Sequence, residues 1–421
     1  MSRPVRIDLA RNLRLDQAMN ARLCRLRLFL LVLAAALALL LPAGCIVQPP
    51  AKLTAPQALR EVPDGDWPLL LDDLSAKSLF EAAEASLAYL RKINPDKLFT
   101  FGPYRASAGQ MAASLERVKD LLYRLPDPSQ RSQALKREFI LLESVGSDGQ
   151  GRVLFTGYYE PILKAQAQPQ APFTHPVYAI PSDLVYINLK DFNPELPNRR
   201  LVGQVQGRRV RPYPDRKAID FQRALAGRAE VLGYVADPVE VFFLHIQGSG
   251  QLEFEDGRRL RVGYAASNGQ PYRSIGRFLL QEGLMEPGSM SMQGIKAFLA
   301  AHPQQMQRVL SHNPSYVFFR PLAPTGGPLG CFEAPLTAGR SVALDRRLFP
   351  GLALGYVQGQ MPAAGGGAAP LNRFVFNQDT GGAIRGPGRL DMFFGSGAEA
   401  GELAGRMNYP GRLFFFFPRN P

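Results

Sequence analysis

Two aspartates flank a glycine-rich turn near the end of the 421-residue sequence. The stretch Phe376–Gly395 contains Asp379 and Asp391, and the apolar runs on either side of the turn predict two short strands. Asp391 lies among leucine, methionine and phenylalanine neighbours, so we expect partial burial that raises its pKa and makes it a proton donor near neutral pH. The alternative is that both aspartates only cap turns, because Asp-Thr-Gly-Gly is favourable turn chemistry.

The composition indicates a globular, β-rich chain. Apolar residues make up 46% and charged residues 20%, and the 40 glycines and 36 prolines favour short strands and turns over a helical bundle. The net charge of +13 attracts polyanions. No basic run alternates with aromatic residues, so nucleic acid is not expected as a partner, whereas an acidic polysaccharide or peptidoglycan fits the charge. The four histidines lack metal-ligand spacing, and we predict no metal and no other cofactor.

The first 45 residues are typical of an export signal. Arginines precede the uncharged apolar run Leu28–Leu41, which is too short to span a bilayer comfortably. The following Leu-Pro-Ala-Gly-Cys45 resembles a bacterial lipoprotein cleavage box, although Pro42 replaces the usual aliphatic residue. This interpretation makes Cys45 the lipidated first residue, residues 46–66 a tether, and the periplasmic face of a Gram-negative outer membrane the location. An ordinary cleaved signal with an incidental cysteine is the alternative.

Helices are predicted in the first third of the exported chain, in a short stretch that Tyr213–Asp220 enters, and near residues 275–310. Capping boxes at Ser78 and Ser107 start two helices, and a third is expected from about Ser129 to Glu143. From residue 152 the pattern becomes β-like, and 239–250 predicts a buried strand that ends in a flexible corner. His245 within it is a candidate acid–base group, although a lone histidine in an apolar strand is more often a core residue. Residues 359–370 predict an exposed loop.

Eight motifs stand in the order found in the membrane-bound lytic murein transglycosylase A family, and the resemblance covers roughly residues 150–421. The motifs are Thr156-Gly-Tyr-Tyr-x-Pro161, Tyr213-Pro-Asp-Arg-x-Ala-Ile-Asp220, Leu244-His-Ile-Gln-Gly-Ser-Gly250, Tyr264-Ala-x-x-Asn-Gly-x-Pro-Tyr272, Asn313-Pro-Ser-Tyr-Val-Phe-Phe319, Leu336-Thr-Ala-Gly-Arg-Ser-Val-Ala-Leu-Asp345, Asp379-x-Gly-Gly-Ala-Ile384 and Asp391-x-Phe-Phe-Gly395.

The resemblance implies a mainly β fold with N-terminal helices. One domain is expected to be a double-psi β-barrel built from discontinuous segments, and the other a smaller β-barrel inserted into it, with a glycan groove between them. The expected divisions are a signal peptide at 1–45, the tether at 46–66, the first part of the double-psi barrel with its helices at 67–161, the inserted barrel at 162–319 and the three-aspartate module at 320–421.

The same resemblance implies a lyase that cleaves the β-1,4 bond between N-acetylmuramic acid and N-acetylglucosamine in peptidoglycan and leaves 1,6-anhydromuramic acid ends. Asp391 matches the family's single acid and base. Asp379 and Asp345 match its other two aspartates, which would orient the loop and, if ionised nearby, help keep Asp391 protonated. The residues expected to line the groove are Thr156, Tyr158, Tyr159, Gln247 and Ser249, although tandem tyrosines can equally be core packing.

Two functions other than that of a lyase are compatible with parts of the sequence. Asp379-Thr-Gly381 resembles an aspartic-protease triplet, but that mechanism needs a second triplet, and the sequence has none. A non-catalytic glycan-binding outer-membrane lipoprotein remains the alternative. The expected partners are peptidoglycan glycan strands and outer-membrane lipid through acylated Cys45, with cell-wall synthesis or division proteins as further candidates.

Overall fold

The computed structural model describes residues 53–324, 326–363 and 365–419. The predicted signal peptide, Cys45 and the start of the tether lie outside the described residues. Residues 53–421 form one compact unit. Within the described ranges, no helix combines the length and the apolar character that a bilayer span requires.

The described chain contains more β-strand than α-helix. In chain order, strands β1 to β19 are Leu59–Glu61, Leu98–Phe101, Tyr104–Ser107, Phe139–Ser144, Val153–Glu160, Ile162–Gln166, His175–Tyr178, Leu184–Asn188, Arg200–Gln206, Arg209–Pro212, Val231–Val235, Ser249–Phe254, Arg259–Ser267, Val317–Pro321, Ser341–Ala343, Leu354–Pro362, Ala368–Asp379, Arg389–Ser396 and Asn408–Pro418. Helices α1 to α9 are Ala76–Leu90, Ala108–Arg124, Pro128–Glu138, Leu189–Phe192, Pro238–Gln247, Ile275–Gln281, Met292–Ala301, Met306–His312 and Ala398–Arg406.

A closed ring of six strands forms the first barrel. Its order is β19-β16-β17-β15-β18-β5, and β5 pairs back onto β19 to close the ring, while β4 and β1 extend the sheet beyond it. The strands come from two separate stretches of the chain, because β5 ends at Glu160 and β15 begins at Ser341. The expected discontinuous barrel is therefore confirmed.

The second barrel is built from the chain between those stretches. Six strands in the order β14-β13-β12-β6-β11-β7 form its sheet, and a bridge between Ala179 and Phe319 joins the two outer strands. A separate three-stranded sheet, β10-β9-β8, lies on this barrel. The expected inserted β-barrel is confirmed as well.

The N-terminal helices cover one side of the first barrel. Leu79 and Leu87 on α1 and Leu115 on α2 are buried in a single apolar cluster with Phe374 and Phe414 of β17 and β19. Each apolar side chain that is fully buried stabilises the fold by about 1.5–3 kcal/mol. These contacts anchor the strands that carry the candidate site.

Residues 239–250 are not a strand. Pro238–Gln247 forms helix α5, which begins where the Asp237 side chain accepts a hydrogen bond from the Val239 N–H (2.8 Å) and ends at Gly248 with φ +78°. The helix lies between two apolar clusters and is therefore buried nearly all round, which hides the helical period in the sequence.

Three further predictions need correction. The third helix ends at Glu138, because Phe139–Ser144 continues as β4. The loop expected at 359–370 is mostly the paired ends of β16 and β17, from the Gly359–Leu371 pair to the Pro362–Ala368 pair. The tether expected at 46–66 must end earlier than residue 66, because Leu59–Glu61 pairs with β4 and Leu59 is buried.

Candidate active site

Four residues lie in one row across four neighbouring strands. Ala343 of β15 pairs with Asp379 of β17 on one side and with Asp391 of β18 on the other. Asp391 in turn pairs with Thr156 of β5. Register partners point to the same face of a sheet, so both carboxylates and the threonine hydroxyl converge on one surface of the barrel.

Asp391 is half-buried and held by the core. Its neighbours Leu390 and Met392 are fully buried on the opposite face of β18. The Thr156 hydroxyl donates to Oδ1 of Asp391 (2.7 Å), and Nε of Arg389 donates to that hydroxyl (3.0 Å). Burial raises the pKa of Asp391 above its ordinary value, while the Thr156 hydrogen bond and the Arg389 charge oppose the rise.

Asp379 has both of its oxygens occupied. Oδ1 accepts the N–H groups of Cys331 (3.0 Å) and Thr380 (2.8 Å), and Oδ2 accepts the hydroxyl of Tyr158 (2.9 Å). Burial raises the pKa of Asp379 to about 6, with the charge of Asp391 acting in the same direction and those three hydrogen bonds acting against it. Asp379 is therefore mostly ionised at neutral pH and becomes protonated as the pH falls through about 6.

Asp345 holds the glycine-rich loop in place. Both of its oxygens accept from Arg347, at 2.9 and 2.6 Å, and Oδ2 also accepts the N–H of Gly386 (2.9 Å), whose φ is +80°. Burial would raise the pKa of Asp345, but the hydrogen bonds from Arg347 and Gly386 outweigh it and lower the pKa. Asp345 is consequently ionised and paired, and its contact with Gly386 fixes the turn between the other two aspartates.

The inserted barrel contributes Tyr272 to this site. Burial raises the pKa of the Tyr272 hydroxyl, and the charges of Arg389 and Asp391 act on it in opposite directions, which places the phenol near both. Sequence reasoning assigned no role to Tyr272 or Arg389. The available signal for Arg389 was its position two residues before Asp391, which puts it on the same face of β18.

The remaining predicted groove residues lie apart from the aspartates. Tyr159 points away from Tyr158, packs against Gly401 of α9 and lines a separate cavity of about 530 Å³ at the junction of the two barrels. Gln247 accepts the backbone N–H of Tyr159 (3.0 Å), and Ser249 is buried at the start of β12. The bond between Gln247 and Tyr159 connects the two barrels, whereas Thr156 and Tyr158 contact the aspartates directly.

His245 takes no part in this arrangement. Among the described residues, no group of three or more histidine, cysteine, aspartate or glutamate side chains is placed to hold a metal ion. His245 is buried in the inserted barrel, where Nδ1 lies 2.9 Å from the guanidinium of Arg216. Burial and that positive charge lower its pKa well below the ordinary value, so His245 is a neutral core residue.

Family models match both halves of this architecture. The MltA specific insert domain matches residues 154–320, and the 3D domain matches residues 340–416. The chain is 34% identical to the membrane-bound lytic murein transglycosylase A of Escherichia coli K12 over 284 residues, which cover 64% of this chain and 67% of that protein. The chain belongs to the MltA family.

Other members of the MltA family agree in sequence and fold. The Vibrio cholerae protein is 34% identical over 276 residues, 64% of this chain and 66% of that protein, so the matched part spans about two thirds of the curated relatives. The crystal structure of the Agrobacterium tumefaciens membrane-bound lytic murein transglycosylase matches with a TM-score of 0.72 and 33% identity, covering 86% of this chain and 98% of that one. Escherichia coli MltA with bound chitohexaose matches with a TM-score of 0.63 and 26% identity, covering 87% and 96%.

Proposed function

We propose that this chain is a peptidoglycan lytic transglycosylase in which Asp391 alone serves as acid and then as base. The observation that carries the proposal is which oxygens of the three carboxyl groups already accept hydrogen bonds. Asp379 and Asp345 have both oxygens engaged by hydrogen-bond donors, whereas Oδ2 of Asp391 makes no hydrogen bond to any of the described residues. Only Asp391 keeps an oxygen that can hold the proton delivered to a substrate.

The reaction follows from that free oxygen. Protonated Asp391 donates its proton to the leaving glycosidic oxygen of N-acetylglucosamine, as the bond to the anomeric carbon of N-acetylmuramic acid breaks. The ionised Asp391 then accepts the proton of the muramic 6-hydroxyl, whose oxygen bonds to the anomeric carbon and closes the 1,6-anhydro ring. The attacking group belongs to the same sugar, so proximity lowers the barrier without a bound water.

The surrounding residues support the two steps in different ways. Because Arg389 donates to the Thr156 oxygen, the Thr156 proton is directed to Oδ1 of Asp391, and Oδ2 is left without a donor among the described residues. A negative charge on either Asp379 or Asp391 disfavours ionisation of the other, so the two carboxyls titrate as an interacting pair. A hydrolase with two working carboxyls would need a second one free to activate water, and neither Asp379 nor Asp345 has a free oxygen.

Product analysis tests the proposal. Murein sacculi incubated with the chain lacking residues 1–45 should release muropeptides with 1,6-anhydro ends, detected by mass spectrometry. Asp391→Asn should release none while its thermal midpoint stays close to that of the parent, and Asp256→Asn, in an exposed hairpin turn, should behave as the parent. Reducing-end products would identify a hydrolase, and binding without release would identify the glycan-binding alternative.

We further propose that acylated Cys45 anchors the enzyme at the periplasmic face of the outer membrane. The printed names of the relatives describe membrane-bound proteins. Metabolic labelling with a clickable fatty acid should label the full chain and the Cys24→Ala variant but not Cys45→Ala. Equal labelling of the Cys45→Ala variant would reject the anchor.

A further inference from the structure

Arg389 lies beside Asp391 on the same surface of the first barrel. The two residues are two positions apart on β18, so their side chains leave the same face of the strand about 7 Å apart. Nε of Arg389 donates to the Thr156 hydroxyl (3.0 Å), which in turn donates to Asp391 (2.7 Å). The guanidinium is therefore held next to the carboxyl that acts on the glycosidic bond in the proposed reaction.

Most of the hydrogen-bonding capacity of Arg389 is not used by the protein. A guanidinium has five N–H donors, and Nε is the one that Arg389 engages within the described residues, where it also forms no ion pair. Arg347 differs, because its Nε and Nη2 both donate to Asp345. The half-buried Arg389 thus keeps Nη1 and Nη2 for a ligand, and together these nitrogens can bind a carboxylate through two parallel hydrogen bonds.

Only the Arg389 side of Asp391 is open to a substrate. On the other side along β18, Phe393 is buried and packs on Tyr158, with ring centroids 5.3 Å apart. Burial raises the pKa of the Tyr272 hydroxyl and the Arg389 charge opposes that rise, so Arg389 lies close to this residue of the inserted barrel. Tyr272 is 39% exposed. A sugar bound against Asp391 can therefore extend towards Arg389, between the two barrels.

The two sugars of peptidoglycan differ in one group. N-acetylmuramic acid carries a lactyl ether on C3, which ends in a carboxylate in peptide-free strands and in an amide carbonyl where a stem peptide is attached. Both forms accept hydrogen bonds, and the carboxylate also carries the charge and planar shape that a guanidinium matches. The N-acetyl groups occur on both sugars and cannot distinguish them.

We propose that Arg389 is a specificity-determining residue that binds the lactyl group of the N-acetylmuramic acid whose anomeric carbon reacts. Nη1 and Nη2 donate to the lactyl oxygens, while Nε keeps its hydrogen bond to Thr156. This contact places the anomeric carbon of the muramic residue at Asp391 and so decides which of the two alternating β-1,4 bonds is cleaved. The inference rests on the proposed function, because it requires the scissile bond to lie at Asp391.

Binding to the inactive Asp391→Asn protein tests the inference without turnover. The calorimetric ligands are a peptide-free hexasaccharide of alternating N-acetylglucosamine and N-acetylmuramic acid, and chitohexaose, which has N-acetyl groups but no lactyl group. Adding Arg389→Gln should weaken binding of the muramic ligand about 10- to 100-fold and that of chitohexaose less than about twofold, since only the first loses a charge-assisted pair. Arg389→Lys keeps the charge without the planar fork, and its affinity for the muramic ligand should fall between those of the parent and Arg389→Gln.

Arg346→Gln is the matched control for charge alone. Arg346 is exposed, follows Asp345 in the chain and carries its guanidinium over the Phe332 ring (5.4 Å). Its removal should leave the affinity for both ligands unchanged. Equal weakening of both ligands by Arg389→Gln, or equal weakening of the muramic ligand by the two glutamine variants, would overturn the inference. Failure of the proposed function would show separately, as reducing-end products from sacculi.

Discussion

Asp379 and Asp391 stand at the same level of the barrel on either side of Ala343, with which both are paired. Two strand spacings separate their backbones, which is about 10 Å. The Ala343 side chain is 3% exposed and is buried in an apolar cluster with Tyr158, Ile384 and Phe393. The two groups interact through charge, yet each keeps its own hydrogen-bond partners, and this gives them different tasks.

Thr156→Val should raise the pKa of Asp391, because it removes the hydrogen bond that favours the ionised carboxyl. The alkaline limb of kcat/KM should then move to higher pH. Losing the orientation of Oδ2 should also lower kcat on the order of tenfold, since a hydrogen bond to a charged group contributes about 1.5–3 kcal/mol. Thr156→Ser keeps the hydroxyl and should restore the parent profile. An unchanged alkaline limb in the valine variant would contradict this role.

Asp379→Asn should move the alkaline limb in the opposite direction. The variant lacks the negative charge that disfavours ionisation of Asp391, so the pKa of Asp391 falls and activity is lost at lower pH than in the parent. The measurement is kcat/KM between pH 4 and 9. An unchanged alkaline limb would show that Asp379 is not ionised in the free enzyme.

The same variant makes a prediction about stability. Burial raises the pKa of folded Asp379 to about 6, so its protonated form is favoured by folding. The resulting stabilisation is fully present below the unfolded pKa and disappears as pH rises through about 6, a change on the order of 3 kcal/mol. The free energy of unfolding of Asp379→Asn relative to the parent should therefore increase between pH 4 and pH 7. A constant difference would mean that the folded pKa is not raised.

Tyr158→Phe should reduce activity through Asp379. The hydroxyl donates to Oδ2 of Asp379, and its loss should raise the pKa of Asp379 and weaken the charge that acts on Asp391. Tyr213→Phe is a matched control, because Tyr213 donates to Asp183 (2.7 Å) within the inserted barrel. Both variants should lose about 1–3 kcal/mol of stability, and only Tyr158→Phe should change the pH profile of kcat.

Glu160→Gln should destabilise the junction of the two barrels. Glu160 is 1% exposed and accepts from Ser396 of the first barrel and from Gln251 and Arg261 of the second, the last at 3.3 Å. Breaking a buried ion pair costs about 3–5 kcal/mol. Chemical denaturation of Glu282→Gln, which breaks the exposed pair with Arg308, provides the comparison and should show less than about 1 kcal/mol. Similar losses in both variants would show that the junction does not depend on Glu160.

Local signals were sufficient for some elements and misleading for others. The capping box at Ser107 correctly located the start of α2, where Ser107 accepts from Gln110. The capping box at Ser78 was misplaced by one turn, since Ser75 is the cap. Helix α5 was missed because Val241 and Leu244 face one apolar cluster while Phe242 and Phe243 face another, so burial on both sides erased the period.

The candidate site, like the fold, could be predicted from the sequence only in part. The order of motifs was enough to select Asp391, Asp379 and Asp345, and the apolar neighbours of Asp391 were enough to predict a raised pKa. Which oxygens of those carboxyls are occupied could not be predicted, because Thr156 and Asp391 are 235 residues apart and meet only through the pairing of β5 with β18.

The sequence by itself determined the family, because the order of its motifs survives in one dimension, and the resemblance implied a discontinuous barrel, a second barrel inserted into it and the identity of the acidic groups. Only the tertiary structure decided that Asp379 and Asp345 are fully hydrogen-bonded while Asp391 keeps one oxygen free. This difference depends on strand register, which is set by the closure of each barrel and cannot be inferred from any single stretch of chain.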